Sequence, residues 1–532
     1  MRYSRPLISS LVALTLLTPV LADNGHKVAN SNAITANRLY AHLQFVASDE
    51  MEGRDTPSRG LNAVAKYIAS QMMQWGLKPM GDDGTYFQKI ALKSPIVDTA
   101  GTSVTVAGTA LKYGDNYYAS TDAGTFDGQM VFLPTAWEKK DDPDSPYSKV
   151  DVKGKIIVAM NGRPDGITRA DMRAGKALSP QAAAAKHGAI GFIFISSSQD
   201  GWDDSVQQST KGGNPRPPSN EEPSDPAPPS VIVKPDALGS LFAGESMSLD
   251  DLQKHMVDKA WPAAFAFSSS KTAHVGVVVN DNTVWTQNVV AELDGTDPKL
   301  KNEYVAMGAH MDHLGMRRSG TGDLIYNGAD DDGSGTVSVL EIAHAFAEGP
   351  KTKRSLIFVW HCGEEKGLWG STYFTNHPTV PITSIVAQLN IDMIGRSKKD
   401  GDTNPANKVL TGPHAIYLVG TTRMSSELGA EAKDVNKKMY DLTYDFTYDD
   451  LNNPERIFFR SDHYNYALWG IPILFWFDGV HEDYHRVGDE VEKIDFQKME
   501  MVARTVYATA WEVGNKKNRP KVDMPLPGDA KR

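Results

Sequence analysis

Four segments constrain the fold of this chain more than any others: "EYVAMGAH" at 303–310, "RSLIFVWH" at 354–361, "IVAQLNID" at 385–392 and "IPILFWFDG" at 471–479. Each is almost uninterruptedly apolar. A strand with apolar side chains on both sides has to be buried on both faces, which is the situation of strands in a parallel sheet covered by helices. The intervals between them are long enough for helical crossovers. The spacing therefore predicts an α/β fold with a mixed, mostly parallel sheet flanked by helices. One crossover helix falls at about 334–348, with Val339, Ile342, Ala343 and Phe346 on one stripe. A last helix is expected at about 496–513, with Asp495 as its N-cap. Ligands of such sheets bind beyond the carboxyl ends of the strands.

A chain of 532 residues exceeds one ordinary core. Residues 36–78 read as helical, with Leu61, Ala65, Ile68 and Met72 on one face and Gly76 and Pro79 ending the run. Short alternating segments at about 85–135 suggest strands. "VKGKIIVAM", "SPQAAAAKHGA" and "IGFIFIS" then form a strand–helix–strand unit, with Ser179 as N-cap and Pro180 at the first helical position. A Pro-rich loop follows at 212–230. The segment 130–270 reads as an inserted α/β domain between 36–129 and 275–515, with a polar tail at 516–532.

The N-terminus carries Arg2 and Arg5, an apolar run from Leu7 to Leu21, and small residues Val20 and Ala22. That is the pattern of a signal peptide at 1–22, cleaved after Ala22. It predicts an exported protein, periplasmic or secreted, with no membrane anchor after cleavage. The net charge of −11 with no dense basic block argues against a nucleic-acid partner. The single cysteine, Cys362, excludes a disulfide framework and thiolate-rich metal sites.

Ligand-type side chains gather at the strand ends. They are His310, Asp312 and His313 in "GAHMDH", His361, Glu364 and Glu365 in "HCGEE", Asp392 in "LNIDMIG", and His481 to His485 in "HEDYH". The loop "NGADDDGSG" adds Asp330, Asp331 and Asp332. One aspartate at a strand end is commonly a helix cap. Five such sites in one sheet are hard to explain as separate caps. Imidazole and carboxylate donors without thiolate suit catalytic Zn²⁺, or Mn²⁺ or Co²⁺. Of two adjacent glutamates after a Gly turn, one can bind metal while the other serves as a base. Asp312, two residues from His310, lies on the same side of an extended chain and can hold the second imidazole nitrogen.

These segments, with "GEEKGLWGS", "FRSDH" and "DYHRVGDEVEKID", resemble in order those of the M28 metallopeptidases, over roughly 36–515. The insert is similar to a protease-associated (PA) domain. The resemblance implies a zinc-exopeptidase fold, two zinc ions per chain, and hydrolysis of N-terminal peptide bonds in peptide substrates through a metal-bridging water. It assigns His310 and Asp392 to one ion, Glu365 and His485 to the other, and Asp331 to both. It makes Glu364 the general base, Tyr484 the partner of the oxyanion and Asp312 the support of His310, and it implies a cis peptide bond after Asp331. Arg460 and His463 are candidates for the substrate pocket. His313, His361 and His481 are expected to be supporting or satisfied buried histidines, and Cys362 a small buried hydrophobe. A glutaminyl cyclase-like acyltransferase and a carboxypeptidase or dipeptidase are the alternatives on the same scaffold.

"HEDYH" also matches H-E-x-x-H, which binds zinc through two histidines on one helix face. Here Gly479 and Gly488 flank it and a strand directly precedes it, so a loop is expected, with His485 alone of its histidines binding metal.

Overall fold

The computed structural model describes residue 28 and residues 30–527, apart from 169, 170, 173, 214, 218–227, 259–262, 318 and 319. The expected signal peptide at 1–22 lies outside the described residues, as does most of the Pro-rich loop.

A nine-stranded mixed sheet forms the centre. Its strands include β1 (Phe87–Lys93), β2 (Thr283–Leu293), β3 (Tyr304–His310), β4 (Ser355–His361), β5 (Ile385–Ile391), β6 (Ala415–Val419) and β7 (Ile473–Phe477). The order is β1-β2-β4-β3-β5-β7-β6. The four apolar segments are the parallel middle of this sheet, as expected. Registers Gly308↔Asn390, His310↔His361 and Ile391↔Trp476 bring the carboxyl ends of β3, β4, β5 and β7 level with one another. Alternate residues feed opposite cores: Val305, Met307 and Ala309 pack with one set of helices, and Ala306, Ile357 and Val359 with the other face.

The first core is covered by helices α1 (Ala36–Val46), α2 (Arg59–Gln74), α3 (Gly335–Glu348) and α4 (Phe496–Asn515). The Asp495 carboxylate caps α4 by accepting from Lys498 N–H, as expected. Every residue of α3 from Gly335 to Phe346 is buried, so its apolar stripe understates its burial. The stretch 36–78 is not one helical run. It breaks at Asp49–Arg54, where Glu52, Gly53 and Arg54 have positive φ. The break sends the fully buried Arg54 guanidinium to the carbonyls of Met311, Val46, Asn327 and Gly328, beneath the carboxyl end of β3.

A second nine-stranded sheet corrects the expected domain boundary at 130–270. It contains Ser103–Val106, Gly124–Leu133, Ile156–Met160, Gly191–Ile195, Ser230–Val233 and Thr272–Val277, so position 130 falls inside a strand. The chain enters and leaves this unit side by side, Ile96–Val97 pairing antiparallel with Val279–Asn280. Its helix Pro180–His187 is capped by Ser179, with Pro180 in the first turn. The C-terminal stretch is not a free tail as far as 527. Met524 bridges to Met424, and Asp523 accepts from Ser426 N–H at 2.9 Å. Among the described residues no helix is long and apolar enough to cross a membrane.

Candidate metal centre

The level strand ends put the predicted ligands in one place. His310 ends β3, almost fully buried, with Nε2 at 3.4 Å from Asp331 Oδ1 and 3.5 Å from Asp392 Oδ1. The other oxygen of Asp392 accepts from Ser461 Oγ–H at 2.6 Å, which fixes the carboxylate's rotation. On the far side of Asp331, His485 Nε2 lies 3.1 Å from both Asp331 Oδ2 and Glu365 Oε2. Asp331 therefore faces both groups, one oxygen to each.

The three aspartates after β3 divide their work. The Asp331–Asp332 peptide bond is cis, as the resemblance implied. Asp330 N–H and Asp331 N–H donate to the Asp489 carboxylate at 3.1 and 3.0 Å. Asp332 accepts from His310 N–H, Gly335 N–H and Met393 N–H, tying β3, α3 and the end of β5 together. Asp330 accepts from Gly395 N–H at 2.6 Å and faces His481 Nε2 at 3.3 Å. Asp489 and Arg54 hold this loop from beneath; Asp489 lies inside "DYHRVGDEVEKID" and Arg54 in no motif, and sequence reasoning gave a role to neither.

Glu364 follows Gly363, whose φ of 67° makes the sharp exit from β4. Its carboxylate sits at 3.9 Å from His310 Nε2 and is 11 % exposed. Burial, then the charges of Glu365, Asp392 and Asp462, push its acid well above the usual carboxylate range, against the pull of His310. Burial would lower His485, but Asp331 and Glu365 outweigh it and raise the imidazole to about 10. Both directions describe a buried excess of carboxylate that attracts positive charge.

Several expectations need correction. His310 Nδ1 is held by the Asp312 backbone carbonyl at 3.1 Å, not by its carboxylate, which lies 3.7 Å away and accepts from Glu364 N–H instead. Residue 312 has left the strand, so strand alternation no longer aims its side chain. His463 does not line the cleft. It is fully buried, with Nε2 at 2.9 Å from the Phe458 carbonyl and its ring stacked on Phe475. Burial lowers its pKa to about 4. His313, expected to play a supporting role, lies inside the cluster, Nδ1 at 2.7 Å from Glu365 Oε1. Its position three residues after His310 was the only sequence signal.

The "HEDYH" stretch is a loop of turns rather than a helix, and each residue has its own partner. His481 faces Asp330, Glu482 accepts from Asn404, Asp483 pairs with Arg396 and Lys493, Tyr484 accepts from Arg460, and His485 joins the cluster. Arg460 Nη2 donates to Tyr484 Oη at 3.2 Å, and both line the cleft. Cys362 is fully buried, and burial raises its thiol far above the usual range, so it is no reactive group. His361 is likewise buried, between Tyr466 and Asp462.

The donor set fits a pair of metal ions. Two groups of three, His310–Asp331–Asp392 and His313–Asp331–Glu365, each keep their ligand atoms within 4.8 Å, and Asp331 belongs to both. Buried atoms there, including Glu365 Oε1 and both His313 nitrogens, make no hydrogen bond. The cleft beside them has Met393, Ile457, Phe475, Phe477 and Val480 as its apolar wall.

Comparisons with known proteins bear on the sequence and the fold. Residues 288–510 match the sequence model of Peptidase family M28. A probable leucine aminopeptidase of Trichophyton verrucosum is 29% identical over 252 residues, 45% of this chain and 61% of the relative. Leucine aminopeptidase 1 of Ajellomyces dermatitidis is 30% identical over 228 residues, 41% of this chain and 54% of that protein. This chain thus spans little more than half the length of these curated relatives. The fold is that of two solved structures. An aminopeptidase from Aneurinibacillus sp. strain AM-1 matches with a TM-score of 0.50 at 19% identity, covering 94% of this chain and 99% of that one. A zinc aminopeptidase from Bacillus subtilis matches with a TM-score of 0.51 at 16% identity over the same shares. The residues that match the model of Peptidase family M28, 288–510, include all five expected metal ligands and Glu364.

Proposed function

We propose that this protein is an exported dizinc exopeptidase that removes N-terminal residues from peptides. The observation that carries the reading is the sharing of Asp331 between two donor groups, with Glu364 beside them and an apolar-walled cleft in front. His310, Asp331 and Asp392 would hold one ion, and Asp331, Glu365 and His485 the other. When bound, zinc supplies Lewis acidity, which polarises a carbonyl and makes a water more acidic.

The chain's own groups do the rest. Glu364, raised by burial and neighbouring carboxylates, takes a proton from the attacking water and returns it to the leaving amine. Tyr484 accepts from Arg460, so its own O–H is free to donate to the oxyanion. One such donor is worth about 3–4 kcal/mol in the transition state. The apolar wall fits the side chain of the residue being released. The aminopeptidase names of the relatives favour release from the N-terminus.

The test is a panel of aminoacyl-nitroanilides, dipeptides, N-blocked peptides and N-terminal glutaminyl peptides given to the purified zinc-loaded protein. Cleavage of free-amino substrates with apolar first residues supports the reading. Activity confined to blocked peptides or to glutaminyl cyclisation refutes it.

A further inference from the structure

We propose that His313 is a ligand of the second metal ion, so that Glu365 presents an imidazole-bearing neighbour to each of its two oxygens. The proposal rests on the dizinc reading above and adds a donor to it.

The His313 ring is fully buried, and Nδ1 lies 2.7 Å from Glu365 Oε1 and 3.8 Å from Asp331 Oδ2. At 2.7 Å a hydrogen bond would be expected. Yet neither ring nitrogen nor Glu365 Oε1 has a partner in good hydrogen-bond geometry. Leaving a buried polar group unsatisfied costs about 1–3 kcal/mol. Atoms that converge on one ion show this pattern of short separations without donor–acceptor alignment. In a tetrahedral site with bonds near 2.0–2.2 Å, ligand atoms sit roughly 3.4 Å apart. The separations of His485 Nε2 and His313 Nδ1 from the two carboxylates, 3.1, 3.1, 2.7 and 3.8 Å, bracket that value.

The ring is also built into place. Gly328 packs directly against it, and a Cβ there would come within 2.5 Å of His313 Cγ and Cδ2. Residue 328 has φ of 57°, so glycine is favoured twice over. The His313 N–H is held by the Arg54 carbonyl at 3.3 Å. His485 differs: it stands at the rim, with a side chain 36% exposed. The second site therefore has one fixed imidazole and one accessible imidazole. With Asp331 and Glu365 it reaches four protein donors, the number of a closed zinc site, whereas His310, Asp331 and Asp392 leave an open position. The two ions should differ in affinity, the His313 site being the tighter.

The experiment titrates zinc and cobalt out of the full-length protein with a chelator while recording bound metal, the visible absorption of cobalt and circular dichroism. Wild type should lose its two equivalents in separate steps. His313→Ala and His313→Asn should weaken the tighter equivalent by more than the roughly 10–100-fold that loss of a mere supporting partner costs, and should alter the cobalt spectrum. His485→Ala should retain that equivalent at reduced affinity. X-ray absorption on the wild-type dizinc protein should count three imidazoles for two ions, which needs no variant to fold. Two imidazoles, or a folded His313→Asn with wild-type affinities and spectrum, overturns the proposal. At most one bound equivalent in active wild type instead overturns the dizinc reading itself.

Discussion

Two sheets with parallel strands lie in this chain, and their carboxyl ends differ. In the second sheet Ile156–Met160, Gly191–Ile195 and Ser230–Val233 are as deeply buried as any strand of the first. They run out into Asn161, Ser196 and Lys234, and among the described residues no cluster of carboxylates and imidazoles forms there. In the first sheet β3, β4, β5 and β7 run out into His310, the Glu364–Glu365 pair, Asp392 and the loop bearing His485. Continuous apolar strands build a crevice in either case. What makes a reactive centre is the investment of buried charge at that crevice, which costs stability unless counter-charges or ions meet it. The first sheet carries that cost and the second does not.

The comparison can be broken most directly at Glu364. Glu364→Gln keeps shape but accepts no proton, so turnover should fall by about 10²–10⁴-fold with metal content unchanged. Loss of metal in that variant would show that Glu364 is a ligand rather than the base. Asp331→Asn, which alters both donor groups at once, should weaken both equivalents in metal analysis. If only one weakens, Asp331 does not bridge.

Chelation sharpens the contrast between the sheets. At a free metal concentration of 100 times the dissociation constant, each ion stabilises the folded state by about 2.7 kcal/mol. Stripping metal should lower the unfolding temperature of the first unit and leave the second unit's transition in place. A single transition that shifts as a whole would mean the two unfold together.

Excision tests the boundary. Deleting 98–278 and joining Val97 to Val279 follows the paired entry and exit strands, and should leave a folded, metal-binding core. Deleting 130–270 cuts the Gly124–Leu133 strand and should give aggregated protein by size-exclusion chromatography. The opposite result would restore the boundary read from sequence. The smallest effect belongs to Glu482→Gln: Glu482 is exposed and bonded to Asn404, so turnover should stay near wild type. Inactivity in a folded, metal-loaded Glu482→Gln would revive the H-E-x-x-H reading of this loop.

The sequence alone determined the parallel centre of the sheet, because burial on both faces demands apolar residues at every strand position. It also determined local devices such as the Asp495 and Ser179 caps, which depend on residues within three positions of each other. It placed His310, Asp331, Glu365, Asp392 and His485 together because strand ends of one sheet converge. Only the tertiary structure decided what lies one step beyond a strand or across a domain. Asp312 turns its carboxylate to Glu364 N–H, and His463 packs behind Phe475 instead of lining the cleft. His313 is wedged against Gly328 into the cluster, and Ser103–Val106 joins a sheet with Thr272–Val277. Each is set by contacts between segments distant in sequence, where the periodicity of one strand or helix carries no information about the partner.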